Sequence, residues 1–139
     1  MKRLRRSEGL TLLEILIVLV VLAVVAGLAL PAYTTTVEKS RSQEALRNLA
    51  NVRESMIRFH SANNTYSGAS FAGISALDFN PNNAGTTGQN LHFSYTIGGL
   101  GQATFTITAL RNSADGGDGT STVTLNHVGA VNKTGVYAA

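Results

Sequence analysis

Apolar and polar positions divide the chain into three stretches with different periods. From Ile15 to Val37 there are 23 consecutive residues without a charge, and up to Leu30 they are dominated by Leu, Val, Ile and Ala. About 20 such residues span a bilayer as a helix. From Thr34 to about Phe59 the pattern becomes amphipathic: Ala45, Leu49, Val52, Met56 and Phe59 are spaced 4, 3, 4 and 3 apart, with Leu46 and Ile57 widening the stripe. Glu38, Lys39, Arg41, Glu44, Arg47, Arg53, Glu54 and Arg58 mostly take the remaining faces. That spacing is one face of a helix, and such a stripe is more often core than partner site. With only one strong breaker, residues 11 to 60 read as a single helix of about 75 Å.

The breaker is Pro31. It has no amide hydrogen, and its ring crowds the carbonyl four residues earlier, which belongs to Gly27. Gly costs about 0.8–1.0 kcal/mol relative to Ala in a helix interior and Pro about 3. The pair predicts a helix break at Gly27 to Pro31, either a kink or a melted turn.

After the helix, residues 61–90 are rich in Asn, Gly, Ser and Ala, with Asn63-Asn64, Pro81-Asn82-Asn83 and Gly85 as turn signals. Tyr66, Phe71, Leu77 and Phe79 are expected to pin this connection onto a sheet. Strand alternation follows. Leu91, Phe93, Tyr95 and Ile97 share one face, and Ala103, Phe105, Ile107 and Ala109 share another. Gly98 to Gly101 supplies the hairpin, Val123 and Leu125 begin a third strand, and Val128 to Val131 suggests a turn into a short fourth one. A long helix followed by strands predicts an α+β fold, with the C-terminal half of the helix packed on an antiparallel sheet of three to four strands. The expected segments are a basic leader at 1–9, an apolar helix at 10–33, an amphipathic helix at 34–60, a connection at 61–90 and a sheet region at 91–139. Residues 34–139 together would form the globular domain.

The formal charge of +3 over 139 residues could suggest a binder of anionic polymers. Its location removes that reading. Lys2, Arg3, Arg5 and Arg6 against Glu8 account for all of it, leaving seven Lys/Arg and seven Asp/Glu from Leu10 onward. The body is formally neutral, and no specific nucleic-acid partner is expected. The four leader cations instead keep the N-terminus cytoplasmic and send the rest across the membrane. With no cysteine, disulfides, thiolate metal sites and cysteine nucleophiles are excluded.

A secretory signal peptide cut after Ala26 or Ala29 would fit the same composition. Glu14 disturbs that reading. A carboxylate costs roughly 2.5–3.5 kcal/mol at the centre of a membrane helix and less toward its end, and no basic residue lies within a helical turn to pair with it. The bland alternative is a carboxylate hydrated at the headgroups.

The run Gly9-Leu10-Thr11-Leu12-Leu13-Glu14, after a short basic leader and before a long apolar helix, resembles the cleavage and methylation signature of type IV prepilins and type II secretion pseudopilins. The resemblance implies that a prepilin peptidase cuts between Gly9 and Leu10 and that the new Leu10 amine is N-methylated. It implies too that Glu14, fifth in the mature chain, forms a subunit-assembly salt bridge with the N-terminal ammonium of a neighbour. Leu10 stands where the family usually has Phe, and Leu13 where Ile or Val is commoner. Pilins commonly carry a proline at the position of Pro31, and several filaments unwind just before it. The C-terminal disulfide of many pilins is absent, which leaves open what secures the last loop.

The function implied is a structural subunit, preferably the major pilin, of a type IV pilus that serves adhesion, motility or DNA uptake. The precursor would be a single-pass inner-membrane protein, and the product an extracellular pilus or periplasmic pseudopilus. Its partners would be further copies in a helical filament, the prepilin peptidase and the inner-membrane assembly machinery. A pseudopilin is the first alternative and a minor or competence pilin the next. A secreted or membrane-tethered binding domain is the alternative outside the filament class.

No enzyme, cofactor or metal is expected. His60, His92 and His127 show no metal-binding spacing. The Asp115 to Asp118 loop lacks the full calcium ligand pattern, so turn chemistry explains it better. Asn63-Asn64-Thr65 and Asn132-Lys133-Thr134 match the glycosylation sequon, a pattern frequent by chance.

Overall fold

The computed structural model describes residues 11–73, 76–83 and 92–138, so Gly9, Leu10, Gly85 and Leu91 lie outside the described residues. Helix α1 covers Leu12–Asn63, 52 residues. Thr11 caps its start: its hydroxyl accepts the Glu14 amide at 3.2 Å and its carbonyl accepts the amides of Glu14 and Ile15. At the other end Asn64 turns left-handed, at φ 56°, and returns its amide to the His60 carbonyl at 2.7 Å.

The backbone is helical through Gly27 and Pro31. Of the two forms expected for the break, a kink is compatible with this continuous helix and a melted turn is not. Proline removes one amide donor, but helix propagation is cooperative, and the long runs on both sides hold the intervening turn.

The chain forms two compact units, residues 1–37 and 38–139. In the second, an antiparallel meander runs β1 (Phe93–Gly98), β2 (Thr106–Arg111), β3 (Thr122–Asn126) and β4 (Val131–Lys133), neighbours in that order. Register places Tyr95 opposite Ala109 and Ala109 opposite Val123, and it places Ile97 opposite Ile107 and Ile107 opposite Leu125. Of these, Tyr95, Ile107, Ala109, Val123 and Leu125 are buried and Ile97 is partly buried, against Ala45, Leu49, Val52 and Met56 of α1. The 3.6-residue stripe and the 2-residue alternation thus meet in one core.

Two expectations change. Ile57 is 40% exposed, while burial reaches Ser55 and Phe59 on the other flank of the helix. There the connection lies over α1, and the Ser55 hydroxyl donates to Asp78 and accepts the Phe79 amide. Ala103 is exposed and precedes β2, because the β1–β2 loop runs from residue 99 to 105 and closes with Gly101 donating to the Thr104 carbonyl. As expected, the connection is pinned by Leu77, which is buried, and by the half-buried Tyr66, Phe71 and Phe79. Asn82 adds a second anchor. Its side-chain amide donates to the Tyr95 carbonyl at 2.7 Å and accepts the Tyr95 amide at 2.8 Å, occupying the open edge of β1 as another strand would.

Candidate assembly site

Over residues 12–29 the N-terminal unit presents Glu14 on an apolar helix with no covered face. Leu12 is 92% exposed and Leu28 74%, and the Leu, Ile and Val side chains between them are all exposed. The most apolar window has a mean hydropathy of 3.0, long and apolar enough to cross a membrane. Such a surface requires lipid or other helices around it. Glu14 sits in the first helical turn, where a carboxylate is favoured by the helix dipole. Among the described residues its side chain has no ion pair and no hydrogen bond, so the chain's described part does not neutralise it.

The globular unit carries a second charge feature, which sequence reading missed. Arg111 ends β2 on the buried face, opposite Phe93, and is 0% exposed. Its guanidinium reaches Glu38 at 3.2 and 3.3 Å, Asp115 at 3.0 Å and the His92 carbonyl at 2.9 Å. Tyr137 donates its hydroxyl to Glu38 at 2.8 Å, and Arg41 pairs with Glu38 at 2.6 Å. One buried cation therefore ties α1, the start of β1, the β2–β3 loop and the C-terminal segment together. This cluster, with hydrogen bonds on all sides, ties the C-terminal segment to the helix in a chain without cysteine.

Both loop carboxylates are engaged. Asp115 takes Arg111 and His92, and Asp118 accepts the amides of Thr120 and Ser121 at 3.1 and 2.9 Å and the Ser121 hydroxyl. The Asp118 contacts are turn chemistry, whereas Asp115 belongs to the Arg111 cluster. Among the described residues no group of His, Asp and Glu could hold a metal ion. Ser121 in turn accepts the Val136 amide at 2.9 Å, and Gly135, at φ +63°, passes so close that a Cβ there would lie 2.0 Å from the Ser121 hydroxyl. Only glycine fits that crossing.

The same contacts set an acid limit. The His92 contact, followed by Arg111, holds the Asp115 carboxyl below its usual range, and the Ser121 hydroxyl and amide do so for Asp118. Arg58, then Ser55, lowers Asp78 to about 2. Groups depressed on folding stabilise the fold above their unfolded pKa, near 4, and that contribution is lost as pH falls through the folded values. Thermal unfolding of the full chain in neutral detergent should keep its midpoint between about pH 7 and 5 and drop steadily below about pH 4. An unchanged midpoint at pH 3 would contradict these assignments.

The chain is similar to known families in two consecutive parts. Residues 4–30 match the family model described as the prokaryotic N-terminal methylation motif, and residues 31–124 match that of the type IV minor pilin ComP, DNA uptake sequence receptor. This chain belongs to the type IV pilin family. Among solved structures, the pilin resembles the Neisseria meningitidis non-core minor pilin PilV, with a TM-score of 0.51 and 23% identity over 69% of this chain and 85% of that one. That likeness supports the pilin fold of a long helix on an antiparallel sheet. No curated protein sequence matches the chain as a relative. The family is one of structural subunits. Its methylation motif and apolar helix mark an inner-membrane precursor, processed by a prepilin peptidase and assembled into an extracellular pilus.

Proposed function

We propose that this pilin is a minor subunit of a type IV pilus, cleaved after Gly9, N-methylated on Leu10, and inserted among other pilins through its N-terminal helix. The observation that carries the reading is the uncovered apolar helix with Glu14 unpaired among the described residues. A neighbour's methylated ammonium supplies the missing charge, and neighbouring helices supply the apolar cover. The reading from sequence preferred the major subunit, with further copies of this chain as partners. The minor-pilin description of the model matching residues 31–124 favours a minor position. Quantitative mass spectrometry of sheared pili tests both parts. The mature chain should begin at methylated Leu10 and be present at well below one copy per major subunit. A mature chain starting at Leu28 or Leu30 would defeat the filament reading, and a dominant abundance would restore the major-pilin one.

The same description names a DNA uptake sequence receptor, which favours DNA binding as a second reading. The formally neutral body contributes no obvious basic stripe. Salt-dependent binding of a duplex to the full chain supports a receptor role, and its absence removes it.

A further inference from the structure

The globular unit holds a small groove of about 190 Å³ lined by Lys39, Ser42, Gln43, Lys133, Val136 and Tyr137. Lys39 comes from α1 and Lys133 from the end of β4, so two cations far apart in sequence are brought to one concavity by the fold. Neither ammonium forms an ion pair with a described carboxylate. Glu38, which accepts the hydroxyl of the groove residue Tyr137, is committed to Arg111 and Arg41 as well. Elsewhere in this unit Arg41, Arg58 and Arg111 are paired with Asp or Glu, while Arg53 donates to the His127 carbonyl; what sets the two lysines apart is the groove they share. Two unneutralised lysines sharing a groove with the Gln43 amide suit an anion with several acceptor oxygens. Lysine binds phosphate as a point charge, without the planar geometry that arginine requires.

The position in the chain says which anion is at hand. Lys39 follows Val37, the last residue of the uncharged run, by two positions. Two residues reach at most about 7 Å, so the covalent tether keeps Lys39 close to the outer end of the membrane segment. Tyr33, 69% exposed, lies between them and Leu30 in the sequence, as expected of a residue at a membrane–water boundary. We propose that the Lys39–Lys133 groove binds the phosphate of an anionic phospholipid headgroup while the precursor waits in the inner membrane. The inference rests on the membrane-inserted precursor and not on the subunit's rank within the pilus. A bound headgroup couples the globular unit to the bilayer surface until the subunit is extracted into the filament.

The test uses the full chain in neutral detergent micelles. Short-chain phosphatidylglycerol, short-chain phosphatidylcholine, inorganic phosphate and a DNA duplex are titrated separately, and the amide resonances of Gln43, Val136 and Tyr137 are followed. Phosphatidylglycerol should shift them saturably, at concentrations well below those needed for phosphatidylcholine or inorganic phosphate. Lys39→Gln combined with Lys133→Gln should weaken that binding roughly tenfold or more. Lys39→Arg with Lys133→Arg should retain most of it, and Arg47→Gln, outside the groove, should leave it unchanged. Matching thermal unfolding of the variants confirms that the fold is kept. The inference is overturned if no resonance saturates, if the double Gln variant binds as well as the parent, or if inorganic phosphate binds as tightly as the lipid. Saturation by the duplex alone also overturns it, and would favour the receptor reading instead.

Discussion

Glu14→Ala should leave the pilin in the inner membrane and remove it from the sheared pilus fraction. The carboxylate stands near the start of an apolar helix with no partner among the described residues. In the proposed filament its partner is the methylated ammonium of another subunit, in surroundings from which water is excluded. Breaking a buried pair by deleting one member costs about 3–5 kcal/mol, because the other charge is left uncompensated. At about 1.4 kcal/mol per decade, that lowers incorporation by more than about a hundredfold. Immunoblots of membrane and sheared fractions read the outcome directly. Glu14→Gln should fail almost as completely, since it keeps the shape and removes the charge. Normal abundance of either variant in pili would reject the salt bridge and leave Glu14 as a headgroup-hydrated carboxylate.

The second large effect belongs to the globular unit. Arg111→Ala should lower its stability by about 3–5 kcal/mol, as expected when a buried cation is removed from its carboxylates. Glu38 and Asp115 would then face each other's charge across a cavity, and the carbonyl of His92 would lose a donor. Urea unfolding followed by tyrosine fluorescence measures the loss, with Tyr95 and Tyr137 both in the affected core. Adding Glu38→Gln to Arg111→Ala should recover part of it, because one orphaned charge is gone. That recovery separates a charge network from simple loss of packing volume. A cost below about 1 kcal/mol for the single variant would mean that the cluster does not secure the C-terminal region.

Much of the fold was legible because its signals are local. The spacing of Ala45, Leu49, Val52 and Met56 marks the buried helical face whatever covers it, and the alternation at Phe93, Tyr95, Ile107 and Ala109 marks the sheet's inner face. Ile57 was misjudged since its burial depends on which flank of the helix the connection crosses. At Gly27 and Pro31 the melted form of the expected break weighed a local penalty without the cooperativity of a 52-residue helix, whereas the kinked form is compatible with it. Arg111 gave one faint signal: it falls two residues beyond Ala109, on the buried phase of β2. Its partners could not be read, because Glu38 lies 73 positions away and Tyr137 reaches Glu38 across 99.

By itself, the sequence determined the membrane segment, the lone carboxylate within it, the family signature and the α+β layout, all of which rest on contiguous composition or a short period. The tertiary structure decided that Arg111, Glu38 and Tyr137 hold the C-terminal segment, which cations remain unneutralised, and that Lys39 and Lys133 share a groove. Those are facts about charges separated by tens of residues along the chain. Electrostatic pairing depends on distance in space, and only the packed helix and sheet set that distance.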